Sequence, residues 1–283
     1  MPTNVTTPGT RRTRRAIGAV VATTAAVIGL ATVVPTAVAG QDEADATMNH
    51  SMGSQIREHE EVDPAGATRR SAEQIGVAAT VAGIDVASYQ GNVDWAGHWA
   101  AGKRFAFVKA TEGTGYKNPY FTQQYNGSYN VGMIRGTYHF ALPDRSSGAT
   151  QANYFVNNGG GWSGDGKTLP GVADLEYNPY GATCYGLSQA SMAAWIRDFS
   201  NTYRSRTGRD PIFYTSTSWW SQCVGTAQQF ASTNPLWVAR YSTSVGALPY
   251  NWGVWTFWQH TSTPLDQNYF NGAIDRLRVL ATG

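Results

Sequence analysis

Two carboxylates near the middle of the chain, Asp174 and Glu176, have the types and the spacing for acid–base chemistry. They end the apolar run that begins at Leu169, which is typical of a buried strand. Residues two apart on a strand point the same way, about 6 to 7 Å apart, so both side chains should share one face. Because each acid hinders the ionisation of the other, one of them should keep its proton. A protonated acid beside a carboxylate is the starting state for cleavage of a glycosidic bond.

Beyond residue 80, short β-like runs alternate with helix-like stretches. The predicted strands are 82–86, 105–110, 133–140, 171–175, 211–214, 236–240, 254–259 and 274–280. Between the first five strands, helices are predicted over 94–101, 119–130, 149–157 and 188–206. After the fifth strand the connections become shorter and carry Asn, Pro and Gly turns. Alternation predicts a parallel sheet, and eight such strands predict a closed β/α barrel whose last part has lost helices.

Polar and aromatic residues recur at the C-terminal ends of these predicted strands. In a β/α barrel these ends converge on one rim, where active sites are built. The residues at this rim are Asp85, Glu112, Tyr138, His139, Asp174, Glu176, Tyr214, Tyr241, Gln259 and, shortly after the seventh strand, Asp266.

A set of short motifs in a fixed order resembles glycoside hydrolase family 25, the Chalaropsis-type lysozymes or N-acetylmuramidases. The resemblance extends from about residue 82 to the C-terminus. It implies a single shortened TIM-like barrel of the α/β class, (β/α)5(β)3, that hydrolyses the β-1,4 bond from N-acetylmuramic acid to N-acetylglucosamine in peptidoglycan. The motifs are Gly83-Ile84-Asp85-Val86 with Tyr89-Gln90-Gly91, the runs 107–113 and 136–140, Asp174-Leu175-Glu176, Tyr214-Thr215-Ser216 with Trp219-Trp220, and Trp258-Gln259 with Asp266.

The resemblance also implies roles for individual residues. Glu176 would be the proton donor and Asp174 its partner, with Asp85 and Asp266 completing an acidic pocket. Glu176 is one of only two glutamates after residue 80, and nearby carboxylates should raise its pKa so that it keeps a proton to give. The residues expected to bind substrate are Glu112, Tyr138, His139, Tyr214, Tyr241, Trp258 and Gln259.

Several of these residues have an alternative, purely structural interpretation. Asp85 could hydrogen-bond at the barrel floor, and Glu112 could pair with Lys109. His139 could be a satisfied rim residue, and Asp266 could cap the turn that follows it. Aromatic residues are usually core, although rings with polar tips also suit sugar faces and hydroxyls. This last ambiguity applies to Tyr138, Tyr214, Tyr241 and Trp258.

The spacing of Asp174 and Glu176 does not choose between the short carboxyl separation of a covalent retaining pair and the longer one of an inverting pair. A substrate that carries an N-acetyl group permits a third route. In it the acetamido oxygen attacks the anomeric carbon while Asp174 orients and stabilises that group. Our hypothesis is this neighbouring-group mechanism with net retention.

Two other classes of function remain open at this stage. One is a metal-dependent hydrolase or deacetylase that uses the Asp, Glu and His residues, and the other is a catalytically silent polysaccharide-binding barrel. No HxxH or HExxH spacing supports the metal, so neither a metal site nor a cofactor is predicted.

The N-terminus has the pattern of a secretory signal. Four arginines precede the apolar run 16–34, and Ala37-Val38-Ala39 has the small-x-small pattern of a signal-peptidase site. We predict a signal peptide over 1–39 and a secreted, extracellular protein. A membrane-spanning helix is the alternative, since the run approaches spanning length.

Residues 40–80 contain no aromatic residue and carry eight acids against three arginines. Such a stretch buries too little apolar surface to offset its ordering entropy, so it is predicted to be a disordered acidic spacer or a pro-segment. Its negative charge opposes the mildly basic remainder of the chain. This opposition suggests the hypothesis that the segment restrains the catalytic domain until proteolysis.

Residues 81–283 form the predicted catalytic domain. Fourteen Lys and Arg against eleven Asp and Glu give it a mild positive charge, which suits an anionic cell wall and is too weak for nucleic acid. Its two cysteines, Cys184 and Cys223, are expected to form a disulfide in an oxidising compartment. The expected partners are peptidoglycan glycan strands, bound by a monomer that has no stable membrane association after signal cleavage.

Overall fold

The computed structural model describes residues 49–60 and 79–283. The predicted signal peptide therefore lies outside the described residues, as does most of the predicted spacer. Within the two described ranges, no helix is both long and apolar enough to cross a membrane.

Residues 80–283 form a closed barrel of eight strands, which confirms the predicted fold class. Each of its first five strands is followed by a helix, and the last three strands have no helix between them. The barrel strands are β1 (Thr80–Val86), β2 (Phe105–Glu112), β4 (Ile134–Phe140), β5 (Val172–Asp174), β6 (Ile212–Thr215), β7 (Leu236–Ala239), β8 (Phe257–Thr261) and β9 (Gln267–Asn271), and the short β3 (Tyr116–Lys117) extends β2 outside the barrel. The helices of the barrel are α2 (Trp95–Ala100), α3 (Phe121–Asn130), α4 (Gly148–Phe155), α5 (Gln189–Thr207), α6 (Thr217–Cys223) and α7 (Ile274–Thr282).

Strands β1 to β8 of the barrel run parallel, and β9 closes it by pairing antiparallel with both β8 and β1. The predicted helices correspond to α2, α3, α4 and α5. The helix α6 was not predicted. Parallel pairing places the C-terminal ends of seven strands at one mouth of the barrel, where the candidate site lies.

The prediction of an eighth strand over 274–280 is wrong, because these residues form α7. Leu277 and Ala281, four residues apart, are both buried, which is the period of a helix packed on one face. The eighth strand is instead β9, whose sequence is largely polar. Its inward residues are Asn268 and Phe270, and Asn268 lies in the barrel because its amide binds a buried carboxylate there. An apolar strand pattern could not reveal it.

The barrel interior is filled by large aromatic rings below the mouth. Phe107 packs against Trp237 with ring centroids 4.6 Å apart, and Phe257 packs against Phe105 and Phe270 at 5.3 Å. The small residues of the sheet make room for these rings. A Cβ atom at Gly136, for example, would lie 2.3 Å from the Phe107 ring. The packed rings close the bottom of the pocket, below the polar groups that meet at the mouth.

Residues 49–60, which we call the docked segment, lie against this mouth and contain the helix α1 (Ser54–His59). Residues 40–80 were predicted to be a disordered spacer or a pro-segment, and residues 49–60 of this stretch are ordered against the barrel. Met52 and Ile56 are fully buried against the barrel. The mean composition of the spacer is too polar for a core of its own, but two apolar side chains suffice when the core belongs to the barrel.

The predicted disulfide between Cys184 and Cys223 is confirmed, with 5.3 Å between the two Cα atoms. It joins the loop that follows β5, which carries Glu176, to the end of α6.

Replacing both Cys184 and Cys223 by Ser should lower the free energy of unfolding by about 3 to 4 kcal/mol, because the unfolded chain regains the entropy of an open loop. Denaturant titration of the variant and the parent measures this change. Reductant should lower the stability of the parent and leave that of the double variant unchanged. Equal stability of the two proteins would contradict the prediction.

Candidate active site

Four buried carboxyl groups meet at the mouth of the barrel. Asp85 lies near the end of β1, Asp174 ends β5, Glu176 follows two residues later, and Asp266 precedes β9. They form two pairs, because the carboxyl group of Asp174 contacts that of Glu176 and the carboxyl group of Asp85 contacts that of Asp266. The structure thus brings together all four residues that were predicted to form an acidic pocket.

The pair of Asp174 and Glu176 lies on one face, as the alternation of a strand requires. Burial, reinforced by the charge of Glu176, raises the pKa of Asp174 well above its usual range. Burial also raises the pKa of Glu176 to about 7, although backbone N–H groups of the docked segment oppose that rise. Neither oxygen of Asp174 receives a hydrogen bond from a nitrogen or hydroxyl group within the described residues. A buried carboxyl without such donors is most stable when protonated.

The second pair is held by side-chain amides. Gln259 and Asn268 donate hydrogen bonds of 2.9 and 2.7 Å to one oxygen of Asp85. Burial raises the pKa of Asp85 to about 6, and these amides oppose the rise. Burial and the charge of Asp85 raise the pKa of Asp266 well above its usual range, while Arg57 opposes this. Asp85 therefore has the hydrogen bonds of a barrel-floor residue and a place in the acidic pocket.

Glu112 lies at the end of β2 and pairs with Lys109, with 2.5 Å between Nζ and Oε2. Both side chains are fully buried, and Tyr180 donates a hydrogen bond of 2.7 Å to the other Glu112 oxygen. Burial alone would raise the pKa of Glu112, but Lys109 and His50 outweigh it and lower this pKa to about 2. Glu112 is thus a permanent anion and cannot serve as a proton donor. Its pairing with Lys109 was one of the two sequence interpretations.

Three predicted aromatic residues do reach the pocket. The hydroxyl groups of Tyr214 and Tyr241 donate to the side-chain oxygen of Gln259 at 2.6 and 2.7 Å. The hydroxyl of Tyr138 accepts a hydrogen bond of 3.2 Å from the backbone of Met52. These rings pack below the mouth while their polar tips line it, so packing and contact with a ligand are compatible.

His139 and Trp258 do not reach the pocket, although both were predicted to bind substrate. The His139 ring packs between Phe155 of α4 and Phe199 of α5, and its two nitrogens bind Thr111 and Gln151. The Trp258 ring packs near Trp255, Tyr269 and His260, and its N–H donates to the Arg240 carbonyl. Each residue follows or precedes a pocket residue on its strand, and neighbours on a strand point to opposite faces.

Two residues at the mouth were not singled out by the sequence. Lys109 was considered only as a structural partner of Glu112, yet its Nζ also donates 2.6 Å to the His50 carbonyl at the mouth. Tyr180 follows β5 in a loop and reaches Glu112 from across the pocket. A lysine inside the apolar run Phe107–Ala110 was a usable signal, whereas nothing local marked Tyr180. Within residues 49–60 and 79–283, no group of three His, Cys, Asp or Glu side chains is arranged to hold a metal ion.

Comparison with known proteins gives a consistent picture. The model of the family described as "Glycosyl hydrolases family 25" matches residues 84–268. The N,O-diacetylmuramidase of Chalaropsis sp is 50% identical over 211 residues, which cover 72% of this chain and 100% of the relative. Lysozyme M1 of Streptomyces globisporus is 43% identical over 265 residues, covering 88% of this chain and 89% of the relative.

A solved structure of a muramidase from Acremonium alcalophilum superposes with a TM-score of 0.71 at 54% identity. The superposition covers 72% of this chain and 99% of the solved chain. Residues 79–283 likewise make up 72% of this chain, so the barrel has the same extent as these two relatives. A barrel of this kind folds without a counterpart of the docked segment.

The acidic pocket should make the full chain less stable as the pH rises from 6.5 to 8.5. Carboxyl groups with raised pKa values keep protons in the folded state that the unfolded chain has already released. Glu176, with a pKa of about 7, releases its proton in this range, and the raised pKa values of Asp174 and Asp266 act in the same direction. A single group with a folded pKa of about 7 contributes about 0.8 kcal/mol over this range, or on the order of 2 °C in Tm, and the other two acids add to it.

Calorimetry at a series of pH values tests this. The Asp174→Asn variant should show a smaller fall in Tm between pH 6.5 and 8.5, and Asp275→Asn, at an exposed position of α7, should behave like the parent. The pH range begins at 6.5. Below this pH, the lowered pKa values of His139 and His260, about 4 each, make stability rise with pH and so oppose the effect of the acids most strongly. A Tm that rises over this range would contradict the prediction.

Proposed function

Because the chain belongs to glycosyl hydrolase family 25, we propose that it cuts the β-1,4 bond between N-acetylmuramic acid and N-acetylglucosamine in peptidoglycan, with Glu176 as the proton donor. The chain is a glycoside hydrolase of the lysozyme and muramidase class. The observation that carries the proposal is the contact between the buried carboxyl groups of Asp174 and Glu176 at the barrel mouth. Burial raises the pKa values of both groups, in the place where a β/α barrel builds its active site.

The roles follow from the environments of the two groups. A proton donor needs a pKa near the operating pH, and the raised pKa of Glu176, about 7, meets that need. Asp174 has both carboxyl oxygens without an N–H or O–H donor in the described residues, so they can accept from a ligand. An acetamido N–H of the substrate would supply the missing donor.

The contact between the two carboxyl groups favours the neighbouring-group route. Direct displacement through an enzyme carboxylate needs a separation of about 5 to 5.5 Å, and inversion needs about 6.5 to 9.5 Å. Asp174 and Glu176 lie side by side on one face and each affects the pKa of the other, whereas both of those routes need two carboxyl groups that flank the glycosidic bond from different sides. This geometry suits a pair that acts on two parts of one sugar residue, with Asp174 at the acetamido group and Glu176 at the glycosidic oxygen.

In the proposed step, the acetamido oxygen attacks the anomeric carbon from the face opposite the leaving group. The bond from the anomeric carbon to the glycosidic oxygen breaks, and Glu176 transfers its proton to that oxygen. Asp174 accepts the acetamido N–H and stabilises the positive charge that forms on the ring of the intermediate. Glu176, now a carboxylate, removes a proton from a water molecule that opens this ring, which gives net retention.

Asp85 and Asp266 are proposed to complete the pocket. Their shared negative charge supports protonation of the neighbouring pair, because the charge of Asp85 contributes to the raised pKa of Asp174. Glu112, Tyr138, Tyr214, Tyr241 and Gln259 are proposed to contact the glycan, since their polar groups line the mouth.

We further propose that the protein is secreted through its predicted signal peptide, 1–39, and acts as an extracellular monomer on glycan strands without stable membrane association. The arginine-rich start, the apolar run and the disulfide support export.

Glu176→Gln in the barrel chain, residues 79–283, should reduce the release of reducing ends from purified peptidoglycan by about 10²- to 10⁴-fold, because the amide cannot donate a carboxyl proton. Asp174→Asn should show a loss of similar size. As a control, Asp275→Asn removes one acid at an exposed position and should retain full activity. Activity of the parent should survive a chelator, and undiminished activity of Glu176→Gln would reject the proposed donor.

The products identify the bond and the stereochemistry. Mass spectrometry should find muramic acid at the reducing ends. Proton NMR during the first turnovers should find the β-anomer first, because the neighbouring-group route retains configuration. If the α-anomer forms first, the reaction inverts and the proposed role of Asp174 is wrong.

A further inference from the structure

We propose that the docked segment, residues 49–60, is an intramolecular inhibitor that occupies the glycan-binding mouth and keeps the enzyme inactive until the segment leaves. This inference rests on the proposed function, since inhibition presupposes the activity.

The docked segment binds the proposed proton donor directly. The backbone N–H of Gly53 donates 2.8 Å to one oxygen of Glu176, and the N–H groups of Gln55 and Ile56 donate 2.8 and 3.0 Å to the other. With these contacts Glu176 is only 1% exposed. A glycosidic oxygen cannot approach a carboxyl group whose two oxygens are covered by protein backbone. The observed arrangement is therefore closed to substrate.

The segment is anchored by shape as well as by hydrogen bonds. Gly53 has a φ of 73°, and a Cβ atom at this position would lie 2.2 Å from the Tyr241 hydroxyl and 2.4 Å from the Tyr214 hydroxyl. Only glycine fits here without displacing the pocket, for both conformational and steric reasons. The side chains of Met52 and Ile56, on either side of it, are fully buried.

Charged contacts fix the two ends of the segment. At the C-terminal end, Arg57 forms an ion pair of 3.0 Å with Asp266. At the N-terminal end, His50 contacts Glu112 through its ring and its backbone N–H, at 3.0 and 2.8 Å. The docked segment thus engages three of the acids at the mouth, namely Glu176, Asp266 and Glu112.

The contacts also disfavour the protonated form of Glu176 that the proposed reaction needs. Three N–H donors need lone pairs on Glu176, and a carboxylate offers more of them than a protonated acid does. The hydrogen bonds from Gly53 and Ile56 accordingly oppose the rise that burial produces in the pKa of Glu176. Departure of the segment would remove this opposition.

These contacts replace the charge-based explanation of restraint. The docked segment itself contains Arg57, Glu58 and Glu60, so its net charge is small. Glu58 is exposed, and most contacts come from backbone N–H groups, Gly53, two apolar side chains, His50 and Arg57, while Glu60 accepts hydrogen bonds from Tyr177 and Ser216. Restraint therefore depends on specific recognition of the pocket rather than on the overall charge of 40–80.

Tethering makes such an inhibitor effective and reversible. A covalently linked segment has an effective concentration in the millimolar range, so modest intrinsic affinity closes the site. Proteolysis between residues 60 and 79 would turn the segment into a free peptide that dilution removes. The match to Lysozyme M1 covers 88% of this chain, which is more than the 72% that residues 79–283 make up. The match to the Chalaropsis relative covers 72%.

The test compares the full chain with the barrel chain, residues 79–283, on purified peptidoglycan. An effective concentration of about 1 mM and a dissociation constant of about 10 μM predict on the order of 100-fold lower activity for the full chain. Gly53→Val in the full chain should restore activity to near that of the barrel chain, because its side chain cannot enter the cradle. Glu58→Ala, at an exposed position of the same helix, should leave the activity of the full chain as low as before.

A synthetic peptide of residues 49–60 provides a measurement that does not depend on activity. It should raise the Tm of the barrel chain and inhibit it competitively, and the same peptide with Gly53→Val should do neither. If the barrel chain binds the peptide but releases no reducing ends, the proposed function fails while the docking stands. If the full chain is as active as the barrel chain, or the peptide does not bind, the inhibitory segment is rejected.

Discussion

Four carboxyl groups buried at the mouth of one barrel are the interaction on which the rest of this structure depends. Charged carboxylates are costly to bury, so they lie in contact in two pairs whose raised pKa values allow protons to be retained. The aromatic rings below the mouth pack the barrel interior and so fix the strand ends. This packing offsets the cost of burying the acids. The same burial that destabilises the ionised acids raises the pKa of Glu176 to about 7, the property on which its proposed role as proton donor depends.

Each pair of acids is tuned by different neighbours. Amides of Gln259 and Asn268 support the charged form of Asp85, whereas Asp174 receives no comparable donor from the described residues. Glu112, at the same mouth, is kept ionised by Lys109. Side chains of one chemical type therefore have distinct roles, and their environments decide which of them can give, share or never hold a proton.

The docked segment binds the carboxyl groups of the candidate site. A mouth that is built to hold a polar ligand against two acids also accepts backbone N–H groups from the same chain. Its ion pair with Asp266 and its hydrogen bonds to Glu176 satisfy groups that would otherwise need water or substrate. Satisfying these groups explains why a short and mostly polar segment is ordered here. In the two proposals, inhibition and catalysis depend on one set of contacts, so that removal of the segment would expose the site.

The sequence by itself determined the barrel class and the four acids, because alternation along a strand and strand-end position are local properties. It also determined the disulfide, because the chain has only two cysteines. Only the tertiary structure decided which face each neighbour of a pocket residue takes, and so placed His139 and Trp258 in the outer layer. It also decided that β9 closes the barrel, since the polar Asn268 is buried only because Asp85 lies opposite. Residues 49–60 gave no local signal of order, because their hydrogen-bond partners on the barrel are 39 or more residues away along the chain.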